Sequence, residues 1–293
     1  PRTSPPPMFS GKYRIFELFG IPIYLDFSLI ILLLMFSTGG GDLLSGLFAA
    51  FLLLASITLH ELGHALTARA FGYRTHDITL SLLGGCASLI ALPRKPSQEF
   101  LTAVAGPAVS FVLSFLGICG LAICSSEGSL WSAFLFVVGD VLGSFGLHGL
   151  ASGDFFVTRS LAWLAGPLFY LAAMNAMLGF FNLLPGFPMD GGRIFRSAMR
   201  AFMSRARATY IAMVVGRAFA ILLALSALNR ILHGGNWGFV TLLIAWMIWR
   251  EGAREYRQVL AEGEWGGRWD FSARVSPPPY GGDEDETEIR RGR

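Results

Sequence analysis

Long apolar stretches separated by short polar loops fill most of the chain before residue 250. A membrane-crossing helix needs about 20 predominantly apolar residues. Six stretches approach that length, at 22–38, 46–71, 100–123, 161–184, 209–231 and 236–250. The pattern predicts an all-α polytopic membrane protein with about six transmembrane helices.

Basic residues lie at alternate ends of these stretches, in groups around Lys12, Arg74, Arg200 and Arg254. The opposite loops contain neither lysine nor arginine: 39–42, 125–129 and 232–236. Because basic loops stay on the cytoplasmic side, we expect both termini to be cytoplasmic. An additional crossing at 131–150 would move the basic group around Arg200 to the non-cytoplasmic side. We therefore predict that this apolar stretch does not cross the membrane. We expect a re-entrant or surface-lying helix there.

The segment after the second stretch has a different period. Ile78, Leu80 and Leu82 alternate with polar residues, and Gly84-Gly85 follows. Alternation interrupted by a glycine pair is typical of a β-hairpin. We expect a membrane-associated hairpin, whose backbone edge must then be satisfied by protein or water. An exposed strand edge at 78–82 is a candidate site for addition of a further strand. A plain cytoplasmic loop is the alternative.

Composition supports a membrane protein and argues against both a soluble domain and a nucleic-acid-binding protein. Hydrophobic residues make up 53% and charged residues 15% of the chain, against about 45–50% and 25% in soluble domains. The net charge is only +3, and no basic stripe runs along the chain, so a nucleic-acid partner is not expected. The expected surroundings are a lipid bilayer.

The second stretch contains His60-Glu61-Leu62-Gly63-His64. Histidines at i and i+4 lie on one face of a helix, so both imidazoles can reach one zinc ion. Zinc lowers the pKa of a bound water to about 7, and Glu61 can accept its proton as a general base. Ionisable residues inside a membrane are costly and usually functional. The pattern therefore predicts a metal site rather than a polar packing contact.

A catalytic zinc site needs a third protein ligand. The acidic and histidine residues that remain as candidates are His76, Glu99, Asp140, His148, Asp154 and Asp190. Asp190 is favoured, because it follows the fourth stretch at the membrane end that also holds His64. The prolines and glycines around it break the helix and allow its carboxylate to turn inward.

These motifs together closely resemble the site-2 protease family of intramembrane zinc metalloproteases. The matching pieces are the His60–His64 motif, Gly84-Gly85, Ala105-Gly106-Pro107, and Asn182-x-x-Pro185-x-x-Pro188-x-Asp190-Gly191. The resemblance implies one zinc ion held by His60, His64 and Asp190, with Glu61 as the general base. It also implies that the substrate is positioned by Asn182, Pro185, Pro188, Gly84 and Gly85.

The resemblance implies an intramembrane zinc endopeptidase. Its substrate would be a single-span membrane protein, for example an anti-sigma factor, a sigma-factor precursor or a signal-peptide remnant. The expected location is the bacterial inner membrane, with the active site toward the cytoplasm. A membrane protein that binds or transports metal without proteolysis is the alternative.

The chain divides into three predicted parts. Residues 1–21 form a cytoplasmic N-terminal segment, residues 22–250 a transmembrane protease domain with its catalytic core at about 46–200, and residues 251–293 a cytoplasmic, partly disordered tail. Because the loops are short, we expect the family type without PDZ or cystathionine-synthase-type domains.

Overall fold

The structure is a computed structural model that describes residues 12–27, 43–81, 84–89, 95–126, 128–144, 157–233 and 238–266. The strands are β1 (Lys12–Leu18), β2 (Ile21–Asp26), β3 (Thr75–Ser81) and β4 (Gly84–Leu89). The helices are α1 (Leu43–Ala70), α2 (Pro96–Cys124), α3 (Leu130–Ser144), α4 (Ala162–Asn182), α5 (Asp190–Met199), α6 (Arg205–Leu232) and α7 (Gly238–Gly266).

Four of these helices are long and apolar enough to cross a membrane: α1, α2, α4 and α6. They coincide with the second to fifth predicted stretches, so the largely helical, multi-pass architecture is confirmed. Within the described residues, α7 is not among the candidate spans. It begins with apolar residues but becomes charged from Arg250 onward.

The start of the first predicted span is wrong, because Ile21–Asp26 forms strand β2. Ile21 and Ile23 are buried, whereas the residues between and after them are only partly covered. This period of two is typical of a strand with one face on a core. Residues 28–38 of the predicted span lie outside the described residues.

The predicted hairpin is confirmed as β3 and β4, but it belongs to a four-stranded sheet of order β1-β2-β3-β4. Strand β2 pairs antiparallel with β1 and parallel with β3. Ile78 therefore has Ile23 on one side and Ala87 on the other. The exposed edge predicted at 78–82 is wrong for the described part of that strand, since β3 is an interior strand. Leu82 lies outside the described residues.

The sheet packs against the middle of α1. Its inward-facing residues join apolar residues of that helix in one buried cluster: Ile21, Ile23, Ile57, Leu62, Ala65, Ile78 and Leu80. This part of α1 carries the two histidines, so the sheet covers one face of the motif helix and leaves another face to α2.

Helix α2 lies between α1 and α4 and is antiparallel to both. Glycines allow these approaches: a Cβ on Gly63 of α1 would lie 2.9 Å from the Ala105 oxygen, and one on Gly117 of α2 would lie 2.8 Å from the Ala172 nitrogen. Small residues of this kind are typical of close helix pairs in membranes.

The helix predicted within 131–150 is confirmed as α3, which is 15 residues long. Ala133, Val137 and Val141 bury its inner face in a cluster with residues of α2 and α4. The apolar part of α3 is too short to count among the candidate spans. Residues 145–150 lie outside the described part of the chain.

Candidate active site

The motif histidines lie on the face of α1 that meets α2. His60 and His64 are both buried. Their rings are edge-to-face with centroids 4.9 Å apart, and their Nε2 atoms are 3.2 Å apart. The i, i+4 spacing therefore produces the convergence that the sequence predicts.

Asp190 completes a group of three metal-binding side chains. It is the first residue of α5, and its Oδ2 atom lies 3.1 Å from His60 Nε2 and 3.0 Å from His64 Nε2. Tetrahedral zinc with bonds of about 2.0–2.2 Å places its ligand atoms roughly 3.3 Å apart. The spacing and the donor chemistry, two imidazoles and one carboxylate, both fit a zinc ion.

The outer nitrogens of both imidazoles are held by α2. His64 Nδ1 donates to the Thr102 carbonyl oxygen at 2.7 Å. Since a carbonyl oxygen only accepts, neutral His64 keeps its free lone pair on Nε2, where a metal can bind. His60 Nδ1 lies 2.8 Å from Ser110 Oγ. Sequence reasoning missed Thr102 and Ser110, because a hydrogen-bonding residue on an apolar helix has no distinguishing local pattern.

Asp190 is held as a carboxylate by its surroundings. Burial favours the neutral acid, but the interaction with His64 and the hydrogen bonds from both imidazoles outweigh it. Together they hold the pKa of Asp190 below its usual range. The ionised carboxylate is the form that binds a metal ion.

Gly106 of α2 faces the two imidazoles directly. A Cβ there would overlap His64 Nε2 and lie 2.7 Å from His60 Nε2. The sequence identified Gly106 only as part of a matching motif, and the structure gives the physical reason. No side chain fits between α2 and the convergent nitrogens.

The turn that carries Asp190 also depends on close backbone contacts. A Cβ on Gly191 would overlap the Leu184 oxygen, and one on Gly192 would lie 2.7 Å from the Gly186 carbonyl carbon. The two glycines after the aspartate therefore let α5 begin directly against the end of α4. This contact sets the position of the carboxylate.

The remaining predicted site residues are spread around this cluster. Glu61 is half-buried and close enough to His64 for their charges to interact. Asn182 ends α4 and donates to the Leu178 oxygen at 2.9 Å. Pro185 is half-buried and Pro188 is exposed, both in the turn before α5. The other two, Gly84 and Gly85, open strand β4.

The other candidate third ligands do not join the cluster. Glu99 is engaged in ion pairs elsewhere. The His76 side chain is 73% exposed and pairs with Asp77. Asp140 is exposed on α3. The two others, His148 and Asp154, lie outside the described residues.

A buried ion network fixes α5 to its neighbours. Arg196, 1% exposed, contacts Glu99 of α2 through Nε at 2.8 Å and Glu255 of α7 through Nη1. Arg200 contacts the second oxygen of Glu99 at 2.8 Å. Removing one member of such a buried pair typically costs about 3–5 kcal/mol. From the sequence, Arg196 and Arg200 were only members of a basic loop that indicates orientation.

The comparisons with known proteins agree with this geometry. The family model described as Peptidase family M50 matches residues 48–223, which include all three metal-binding side chains. The chain belongs to peptidase family M50. The site-2 protease resemblance is thereby confirmed, and zinc is the metal of this metalloprotease family.

Curated relatives carry zinc metalloprotease names. A Synechocystis sp. protein, provisionally named zinc metalloprotease sll0528, is 32% identical over 82% of this chain and 58% of its own length. Zinc metalloprotease MJ0392 of Methanocaldococcus jannaschii is 31% identical over 73% of this chain and 53% of its own. The chain thus spans about half the length of the curated relatives it matches.

A solved structure shares the fold. The site-2 protease from Methanocaldococcus jannaschii is 25% identical, with a TM-score of 0.53 over 91% of this chain and 99% of that chain.

We predict that Gly106→Ala weakens zinc binding. The added methyl group overpacks the imidazole pair, which typically costs about 1–3 kcal/mol, or about ten- to hundredfold in zinc affinity. Competition with a chelator, followed by metal analysis, measures the change. Gly166→Ala is the matched control, because a Cβ added at Gly166 would have no neighbouring atom within 4 Å. Equal zinc affinity in the two variants would contradict the prediction.

Proposed function

We propose that the protein is an intramembrane zinc endopeptidase that hydrolyses a peptide bond in or near the transmembrane segment of a membrane protein. The observation that carries the proposal is the convergence of His60, His64 and Asp190 inside a bundle of membrane-length helices. One zinc ion bound by these three residues supplies a Lewis acid and lowers the pKa of water.

The chain's own residues have distinct roles in the proposed reaction. Thr102 and Ser110 hold the two imidazoles in orientation through their Nδ1 atoms. Glu61 accepts the proton of the attacking water and delivers it to the leaving amine. Glu61 is half-buried on the motif helix and close enough to His64 for their charges to interact.

The geometry favours a fixed catalytic site over the alternative of metal transport. A transport path requires polar groups along several helices. Among the described residues, only one group of three or more metal-binding side chains occurs, and it lies at one level of the bundle. That arrangement supports retention of the ion.

The proposed substrate is a single-span membrane protein, such as an anti-sigma factor, a sigma-factor precursor or a signal-peptide remnant. A helical substrate hides its carbonyl groups in i→i−4 hydrogen bonds and must unwind before attack. Since β3 is paired on both sides, the outer edge of β4 is the candidate place for the unwound strand. Gly84 and Gly85 open that edge, while Asn182, Pro185 and Pro188 border the Asp190 turn.

The proposed location is the bacterial inner membrane, with the active site toward the cytoplasm. The support is the distribution of basic residues, which favours a cytoplasmic position for both termini. The first part of α7 would then return the chain to that side as a further span. A reporter enzyme fused after Gly266 tests the side of the C-terminal segment 251–293, and activity only outside the cell would contradict this topology.

We predict that Glu61→Gln retains zinc but lowers cleavage of a single-span substrate by about 10²–10⁴-fold, the usual contribution of a general base. Purified protein in liposomes, with zinc measured on the same sample, gives both quantities. Glu17→Gln, which alters an exposed ion pair with Arg14, should leave both unchanged. Undiminished cleavage by Glu61→Gln would exclude the proposed mechanism. Asp190→Asn should lower the zinc content as well.

We also predict that proline substitution in β4 separates substrate binding from zinc binding. Neighbouring residues of a strand point their N–H groups to opposite edges, so Cys86→Pro and Ala87→Pro affect different sides. The variant that loses the outward N–H should cleave poorly while keeping its zinc. The variant that loses a bond to β3 should instead reduce the yield of folded protein. Full cleavage by both variants would rule out strand addition at this edge.

A further inference from the structure

Helices α6 and α7 enclose an apolar groove of about 540 Å³ that is separate from the zinc-binding cluster. Its lining is hydrophobic and includes Ala220, Ile221, Ala224, Phe239, Trp246 and Trp249. Most of the large side chains among them are 40–70% exposed, for example Ile221 at 50% and Phe239 at 70%. The groove therefore opens on the lipid-facing surface of the helix pair.

Arg217 lies at one end of this groove. It precedes Ala220 by three residues and Ile221 by four, and therefore lies on the same face of α6. Its guanidinium carbon is 4.7 Å from the ring centroid of Trp249, a groove residue on α7. The contact holds the charge at the groove end nearest the start of α6.

Arg250 lies at the same end on the other helix. It follows Trp246 by four residues, and its guanidinium carbon is 5.1 Å from that ring centroid. The two helices are antiparallel, since Tyr210 pairs with Tyr256 and Arg217 with Trp249. Both arginines therefore lie over tryptophan rings that line the same end of the groove.

These two arginines lack an anionic partner within the described part of the chain. No described carboxylate forms an ion pair with Arg217 or Arg250, and the buried Nε of Arg217 has no hydrogen-bond partner there. The nearby acids of α7 are already used: Glu251 pairs with Arg254, and Glu255 with Arg196. Within the described residues, the two guanidinium groups therefore remain available to an anionic ligand.

We propose that the groove binds an anionic phospholipid, with its phosphate on Arg217 and Arg250 and an acyl chain along the apolar lining. Tryptophan rings at one level are typical of the membrane–water interface, which is the depth of a lipid phosphate. Guanidinium groups bind phosphate through charge-assisted hydrogen bonds. The apolar, laterally open lining favours a lipid over a soluble phosphate compound.

The test compares lipids that differ only in their headgroup. The full chain, purified in an uncharged detergent, is titrated with phosphatidylglycerol or phosphatidylcholine of identical acyl chains, and bound lipid is counted by native mass spectrometry. We expect wild type to bind phosphatidylglycerol about tenfold more tightly, because the choline cation of phosphatidylcholine is repelled by the two guanidinium groups, whereas phosphatidylglycerol carries only the negative phosphate. Equal binding of the two lipids would refute the proposal.

Variants assign the binding to the groove. Arg217→Gln with Arg250→Gln should abolish the headgroup preference, whereas Arg254→Gln, on the same helix but paired with Glu251, should keep it. Ala224→Phe fills the groove while retaining both charges, and should weaken binding of phosphatidylglycerol. A preference that survives the double substitution or the groove filling would overturn the proposal. If the double variant does not fold, the Ala224→Phe result and the wild-type comparison still decide.

Soluble phosphate provides the remaining arm of the test. Inorganic phosphate and glycerol phosphate, at the lipid's concentration, should neither raise the thermal unfolding midpoint nor displace bound phosphatidylglycerol. Displacement by either compound would show a phosphate site without a lipid requirement, and would overturn the proposal. Zinc content is measured in every variant, and should not change, because the groove is separate from the three metal-binding side chains.

Discussion

The contacts that α2 makes with both sides of the metal-binding cluster are the constraint on which the site depends. Its Thr102 carbonyl oxygen and Ser110 hydroxyl fix the two imidazoles of α1. One turn before Thr102, its Glu99 binds Arg196 of α5, the short helix that begins with Asp190. A single helix thus sets the relative positions of donors that are 130 residues apart in the sequence. A ten-residue helix is only marginally stable alone, so α5 needs these tertiary contacts.

The metal-binding residues could be predicted from the sequence because each lies in a short, recognisable sequence pattern. The i, i+4 histidines need only a helix, and Asp190 stands out within a turn rich in proline and glycine. The residues that hold the imidazoles could not be predicted in this way. Whether Thr102 and Ser110 face the histidines depends on the packing register of two helices, and no short pattern encodes that register. Gly106 could be identified as part of a motif, but its necessity follows only from the space that the imidazoles occupy.

The sheet shows where the hydrophobic pattern misleads. The apolar residues from Ile21 onward resemble the start of a membrane span, because several hydrophobic residues in succession raise the mean hydropathy of the segment to that of a span. Burial on alternate residues instead places Ile21 and Ile23 in a strand. Parallel pairing of β2 with β3 joins segments separated by the whole of α1, a long-range relation that alternation within one segment cannot reveal. Because β3 is an interior strand, only the edge strands β1 and β4 of the described sheet are open to addition of a further strand.

The link between Arg196 and Glu255 bears on the order in which the site forms during synthesis. The helix with both histidines leaves the ribosome first, followed by Glu99 on α2 and then by Asp190. Glu255 comes last, in the second half of α7. The partners of the histidines on α2 thus precede Asp190 in the chain, whereas the α7 anchor of its helix follows it. The contacts that hold the helix of the third donor on both sides are therefore complete only when nearly all of the described chain has been made.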